Sequence, residues 1–269
     1  MLQNYEKAKE LFLSGKSLTQ IQKEIGIDRK KLSILLKSEG YDIKLNNSKY
    51  NCNEKFFEVI DTEEKAYWLG FLYADGSIEN FGRYKIDLTL SEKDKGHLDK
   101  YRNSLNLTYP IKTASQTFNG NTYYSHRVTI TNKTLVEDII KQGCLPNKSL
   151  ILTFPTEEQV PKELVRHFIR GYFDGDGCIT INKNNDTYNF NILGTYDFLT
   201  ALQNEFVSNI ENYKPTKISK DQRSEVYKLQ KGKVRGTKNI NDIYNYLYKD
   251  CTIYLDRKKN IFDEVIRKS

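Results

Sequence analysis

The ten residues Trp68-Leu69-Gly70-Phe71-Leu72-Tyr73-Ala74-Asp75-Gly76-Ser77 recur, in altered letters, as Ile169-Arg170-Gly171-Tyr172-Phe173-Asp174-Gly175-Asp176-Gly177-Cys178. Each copy closes an apolar helical run with a small residue, an aspartate and a glycine. Asp75 and Asp176 stand 101 residues apart (176 − 75), so the chain contains one unit twice, with an acid at the same place in each copy. The pattern points to two similar halves and to one symmetric site with two carboxylates.

The spacing has a physical meaning within each copy. Gly70 and Ala74 are four apart, as are Gly171 and Gly175, so each helix carries a stripe of small residues on one face. Such stripes let two helix backbones approach closely. On that packing Asp75 and Asp176 meet at the C-terminal ends of the two helices, and Gly76 and Gly177 occupy the places where a left-handed cap is expected. Helix C-termini carry unpaired carbonyls and partial negative charge, so two carboxylates added there call for a cation. A hard divalent ion with oxygen ligands, most simply Mg2+, meets that need, with the carbonyls of Gly76 and Gly177 as further candidate ligands. A single Asp-Gly pair is an ordinary turn signal. It is the duplication, with matching small residues, that separates this pattern from a core helix ending in a turn.

Both segments resemble the LAGLIDADG motif, and a chain with two of them resembles a single-chain LAGLIDADG homing endonuclease over roughly residues 55 to 269. The first copy departs from the family pattern at its sixth position, where Tyr73 replaces the acid that the second copy keeps as Asp174. The eighth position, which carries the metal-binding acid in the family, is Asp75 in one copy and Asp176 in the other. The resemblance implies an α+β fold of two pseudo-symmetric αββαββα halves that form a DNA-binding saddle. It also implies a monomer that hydrolyses both strands of a long, asymmetric double-stranded DNA target, each aspartate serving one strand, and leaves short 3′ overhangs. Family members with similar tails bring a lysine close to the cleavage site. Lys148, in Gly143-Cys144-Leu145-Pro146-Asn147-Lys148-Ser149, and Lys258, in Ile253-Tyr254-Leu255-Asp256-Arg257-Lys258-Lys259, match best, and Arg257 and Lys259 compete for the second place. A lysine there can stabilise charge on the attacked phosphate or perturb the attacking water. The alternative is a loop lysine that touches DNA backbone or solvent.

Composition agrees with a nucleic-acid partner. The 269 residues include 42 Lys plus Arg against 35 Asp plus Glu, a net charge of +7, and 19 Tyr. Basic charge supplies salt-dependent attraction to phosphates, and tyrosines bond to backbone or stack on bases. Cys52, Cys144, Cys178 and Cys251 are scattered without a CxxC pair, which argues against zinc and for reduced thiols. The three histidines, His97, His126 and His167, form no metal-ligand grouping. No signal-peptide pattern opens the chain and no run reaches membrane-spanning length, so a soluble intracellular protein is expected.

Residues 1–45 read as a small all-α domain with a helix-turn-helix signature. A helix from Tyr5 to Ser14 is followed by one capped by Ser17, a Gly26-Ile27 turn, and a helix from Arg29 to Glu39 capped by Asp28. In modules of this kind the second helix enters the major groove, which makes Arg29, Lys30, Ser33 and Lys37 the candidates for DNA contact. Nine basic and six acidic residues give this stretch only +3, so a three-helix packing unit without groove contact, or a protein-binding one, is the competing reading. Residues 46–60 are polar and asparagine-rich and read as a linker, either one that lets two DNA-binding parts share one site or a plain spacer without contacts.

The remainder divides into halves at 61–155 and 156–269. In the first, Tyr84–Leu90, Ile111–Thr117 and Tyr123–Thr131 read as strands, with helices over Ser91–Leu105 and Thr134–Gln142. In the second, Ile179–Asn182, Tyr188–Leu193, Lys217–Ser219 and Val226–Gln230 read as strands, with helices over Tyr196–Val207, Ile240–Tyr248 and Asn260–Arg267. Strands with one apolar and one polar face fit a sheet covered by helices on one side. On the open side Arg83, Lys85 and Asp87 in the first half, and Thr180, Asn182, Lys183 and Asn189 in the second, are candidates for reading base edges.

The leading functional expectation is a site-specific DNA endonuclease of the homing type. An RNA-binding intron-splicing maturase and a non-cleaving DNA-binding regulator on the same fold are the alternatives. Two retained aspartates argue against the regulator. The helix-turn-helix argues against the maturase, because the major groove of A-form RNA is too narrow for such a helix.

Overall fold

The computed structural model describes residues 2–41, 43, 50–185, 187–221, 225–234 and 238–267. The chain separates into two compact units, Met1–Asn51 and Cys52–Ser269. Residues 44–49, which include the start of the expected linker, lie outside the described residues.

Among its described residues the first unit has three helices, α1 (Leu2–Leu13), α2 (Leu18–Ile25) and α3 (Arg29–Ser38). Ser17 and Gln20 form a capping box at the start of α2, and Gly26, at φ 72°, closes that helix in the left-handed region that glycine adopts without strain. Asp28 caps α3 by accepting the Lys31 N–H at 2.9 Å. Ala8, Phe12, Leu18, Ile21, Leu32 and Leu36 are buried together, one or two per helix turn on each inner face.

The second unit begins inside the stretch expected as linker. Phe56, Phe57 and Ile60 are buried, so the chain is committed to this core before its first long helix. That helix, α4 (Glu63–Asp75), is capped by Thr62 and buried from Ala66 through Tyr73. Apolar residues all round a helix mean a central position, and α4 packs along α7 (Val165–Asp176).

Each of these helices opens an identical order of elements. The first half continues with β1 (Gly76–Glu79), β2 (Lys85–Ser91), α5 (Lys95–Ser104), β3 (Ile111–Phe118), β4 (Asn121–Thr131) and α6 (Lys133–Lys141). The second continues with β5 (Gly177–Asn182), β6 (Thr187–Gly194), α8 (Tyr196–Asn209), β7 (Ser219–Lys220), β8 (Tyr227–Val234) and α9 (Lys238–Tyr248), and then adds α10 (Asp256–Ile266). Both sheets are antiparallel, ordered β1-β2-β4-β3 and β5-β6-β8-β7, which is the expected αββαββα repeat.

The helix expected from Ser91 begins as α5 at Lys95, and two further differences bear on the motif and its lysines. The strand β1 starts directly at Gly76, a four-residue element too short to show an alternation of its own. The last helix starts at Asp256, four residues before the expected Asn260, and so includes Arg257, Lys258 and Lys259.

Alternation separates the two faces of each sheet. Ile86, Leu88 and Leu90 on β2 and Tyr188, Phe190 and Ile192 on β6 are buried toward the helices. The opposite faces carry polar side chains. Among the described residues no helix is long and apolar enough to cross a membrane.

Candidate functional site

The two motif helices touch backbone to backbone. A Cβ built on Gly70 would lie 2.0 Å from the Phe168 carbonyl oxygen, and one on Gly171 would lie 1.9 Å from that of Tyr67. Phe168 precedes Gly171 by three residues and Tyr67 precedes Gly70 by three, so the crossing has local two-fold symmetry. Further along, a Cβ on Gly175 would come 2.2 Å from the Ala74 Cβ and 3.4 Å from Asp75 Oδ2. The small-residue stripes therefore do what their spacing implies, and they bring Asp75 onto the neighbouring helix beside Asp176.

The expectation of left-handed caps at Gly76 and Gly177 is corrected by the backbone. Both residues are extended, at φ −73°, ψ 137° and φ −86°, ψ 160°, and each starts a strand. Glycine is required there for space. A Cβ on Gly76 would lie 2.6 Å from the Leu72 carbonyl oxygen, and one on Gly177 would lie 2.4 Å from that of Phe173. The chain leaves each helix by folding straight back along its last turn.

Neither acid makes an ion pair among the described residues. Burial, and then the neighbouring Asp176 carboxylate, push the Asp75 pKa up to about 6. Burial also raises that of Asp176, while Lys258 and Lys148 pull it back. By surface area Asp75 is nonetheless exposed and Asp176 half-buried, so both carboxylates can be reached from solvent. The two lysines occupy equivalent places. Lys148 Nζ donates to the Gly76 carbonyl, and Lys258 Nζ donates to those of Phe173 (2.8 Å), Gly175 (2.7 Å) and Gly177 (2.5 Å). Both lysines are buried. Burial lowers the Lys258 pKa, and Asp174, Asp75 and Asp176 oppose that shift.

This arrangement separates Lys258 from its two neighbours. Arg257 pairs with Asp94 at 2.8 Å and Lys259 with Asp263 at 3.0 Å. It also bears on the glycine carbonyls expected as metal ligands. Each already accepts an ammonium proton, and a metal ion on the same oxygen would face that charge. The donors left for a cation are the two carboxylates.

Position six of each motif bonds to the segment behind the last helix of its own half, and Asp174 also bonds across to α4. Tyr73 donates to the Gln142 carbonyl at 2.7 Å. Asp174 is fully caged, accepting from Tyr67 (2.8 Å), Tyr248 (2.7 Å) and the Leu255 N–H (2.7 Å). Both anchor the segment that carries a lysine to the site, which is why a tyrosine can stand where its counterpart is an acid. Arg170, also fully buried, reinforces the second anchor through the Ile253 carbonyl (3.0 Å) and Glu63 (2.7 Å).

The base-reading candidates fall in different situations. On β2, Lys85 is held between Glu79 and Asp87 at 3.1 Å each, and Asp87 is buried and also accepts from Thr129 at 2.5 Å. Arg83 is exposed in the turn before β2. Thr180 and Asn182 lie exposed on the open side of β5. Lys183 sits 3.6 Å from Glu264, and Asn189 accepts from Gln230 at 2.9 Å. The registers Lys112↔Arg127 and Asn191↔Gln230 add four open-face side chains to these. In the first unit Arg29, Lys30 and Lys37 are exposed and Ser33 is half-buried. Arg29, Lys30 and Ser33 line a surface groove with Leu18, Thr19, Ile34 and Ile43.

Comparison with known proteins bears on the fold. The homing endonuclease I-WcaI, solved bound to its DNA recognition sequence, superposes with a TM-score of 0.54 at 13% identity, over 84% of this chain and 96% of that one. The I-LtrWI LAGLIDADG homing endonuclease bound to target DNA matches with a TM-score of 0.46 at 12% identity, over 80% of this chain and 90% of that one. An uncharacterised protein of Methanocaldococcus jannaschii is 25% identical over 260 residues, 94% of this chain and 83% of its own length. No family model matches the sequence. The chain has the two-domain LAGLIDADG fold, an α+β architecture with one four-stranded antiparallel sheet in each half.

Proposed function

We propose that the chain is a site-specific DNA endonuclease of the homing type, which hydrolyses one phosphodiester bond on each strand with Mg2+ held by Asp75 and Asp176. The observation that carries this reading is the meeting of two carboxylates without ion-pair partners at paired helix ends, each beside a buried lysine. Mutual repulsion of the acids is relieved by a cation between them. Among the described residues no group of three or more His, Cys, Asp or Glu could hold a metal. Two carboxylates suit Mg2+ all the same, because that ion keeps several waters and takes substrate phosphates as ligands. Bound there, it would supply an activated water and neutralise phosphate charge.

The chain's own groups have separable tasks. Asp75 and Asp176 provide the anionic oxygens, one for each strand. Lys148 and Lys258, fixed at the carbonyls that follow the acids, supply positive charge where it builds on the attacked phosphate. The open sheet faces lie in the major groove of a long, asymmetric duplex. The fold likeness to I-WcaI, itself bound to DNA, supports that placement. In the first unit α3 enters the same duplex with Arg29, Lys30, Ser33 and Lys37, as a helix-turn-helix does.

Selection from a random duplex library tests the reading. In Mg2+ a single target class is recovered with both strands cut, and with chelator the same class is bound but intact. Cutting that is indifferent to metal would overturn the proposed chemistry, and binding without cutting in Mg2+ would favour a regulator. Deleting residues 1–45 is expected to weaken binding to the recovered target. Every phosphate the shortened chain no longer neutralises flattens the slope of log affinity against log salt by about 0.9, hence about 3 if Arg29, Lys30 and Lys37 each meet one. Unchanged affinity would remove the first unit from the DNA.

A further inference from the structure

We propose that the two open sheet faces read chemically different half-sites, with G·C pairs recognised by the first sheet and A·T pairs by the second. The inference rests on the reading of those faces as DNA-contacting and adds the class of sequence each one selects. It follows from which side chains the strand registers place on the open sides.

The first open face carries an unbalanced pair of cations. Lys112 and Arg127 are directly opposite each other on β3 and β4, both exposed, and neither has an ion-pair partner among the described residues. Like charges facing across a strand pair are destabilising. Such a pair suits a surface that presents two acceptors, and guanine O6 and N7 do so in the major groove. Lys85, on β2 of this face, is already neutralised by Glu79 and Asp87.

The second open face carries Lys228 on β8 but is otherwise rich in amides. Asn182 on β5, Asn189 and Asn191 on β6 and Gln230 on β8 share it, through the registers Thr180↔Asn189 and Asn191↔Gln230. Gln230 Nε2 donates to Asn189 Oδ1 at 2.9 Å, which fixes the orientation of the glutamine amide. Its Oε1 and second N–H remain as one acceptor and one donor side by side. Adenine offers the complement, an N6 donor beside the N7 acceptor. A carboxamide held in this way meets adenine without first losing its own rotamer freedom.

The test is target selection repeated with Gln230→Ala and Arg127→Ala in the full chain. Both residues are exposed, and equal melting temperatures verify that the variants fold. Gln230→Ala is expected to lose a preference of about 5- to 150-fold at one or two A·T positions. Arg127→Ala is expected to lose a preference of similar size at G·C positions on the other side of the cleavage centre. If a target is recovered but both variants relax the same half, or Gln230→Ala relaxes a G·C position, the inference fails while the endonuclease reading stands. If no duplex is enriched by the wild-type chain, the reading beneath it fails as well.

Discussion

Replacing Asp75 and Asp176 together by asparagine is expected to abolish cleavage and to leave target binding intact or tighter. Asparagine keeps the size of each side chain but removes the anionic oxygen, so a hard divalent ion loses both protein ligands at once. Metal assistance contributes several kcal/mol of transition-state stabilisation, and each ~1.4 kcal/mol is a factor of ten, so each acid is worth roughly a hundredfold or more. Plasmid cleavage beside gel-shift binding separates the two effects, and a double variant that cuts at the wild-type rate would refute the metal-acid mechanism. Binding is expected to be spared, because on the proposed placement the change removes two negative charges facing phosphates. Folding can be verified through the pH dependence. Asp75 titrates at about 6 in the folded chain against an ordinary value of 3.8, so between those values the folded state holds more protons than the unfolded one. Its destabilising effect is therefore absent below pH about 4 and fully developed above pH about 6. In metal-free buffer Asp75→Asn is expected to melt above the wild type at pH 8 and level with it at pH 4. A variant less stable at both values would mean that the carboxylate holds the helices together.

The repeat and its acids were legible because they are marked by spacing, which survives when the letters change. Lys148 and Lys258 emerged in the same way, as residues at matching distances behind the last helix of each half, and they meet equivalent carbonyls. The conformation of Gly76 and Gly177 was not legible. Glycine serves a left-handed cap and a close backbone approach equally well, and only the 2.4–2.6 Å clash of an added Cβ with the helix carbonyls distinguishes them. The open-face residues Lys112, Arg127 and Gln230 were missed for a different reason. From Lys112 onward every residue of β3 is exposed, so no apolar partner marks which of its two sides faces the helices. The side of Lys112 follows from pairing with β2 through β4, and that of Gln230 from pairing with β6, long-range registers that local sequence does not carry. Lys85 and Asp87 show the converse. Both were found by alternation, and only the structure shows that they neutralise each other.

Gly70→Ala and Gly171→Ala are expected to be the most destabilising single changes on the interface between the halves. The new methyl would meet a main-chain oxygen at 2.0 or 1.9 Å, where a carbon and a carbonyl oxygen rest at ~3.3 Å or more. The obstacle is backbone, so no rotamer change relieves it, and the helices must separate by roughly an ångström along their shared face. Overpacking costs ~1–3 kcal/mol where side chains can yield, so the upper end or beyond is expected here, a fall in Tm of about 6–12 °C. Gly96→Ala is the matched control, since a Cβ on that exposed helical glycine meets nothing within 4 Å. It should gain ~0.5–1 kcal/mol. Gly175 separates packing from position. Its added Cβ would meet the Ala74 methyl at 2.2 Å, so the double variant Gly175→Ala, Ala74→Gly returns the methyl count across the helices to its original value. That pair should recover the stability that Gly175→Ala alone removes, a coupling that a double-mutant cycle measures directly. No exchange of side chains at Phe168 can rescue Gly70→Ala in this way, because what the methyl strikes there is the Phe168 carbonyl. Rescue by such an exchange, or a Gly70→Ala variant that melts with the wild type, would mean that the helices do not cross at these glycines and that the acids are brought together by some other packing.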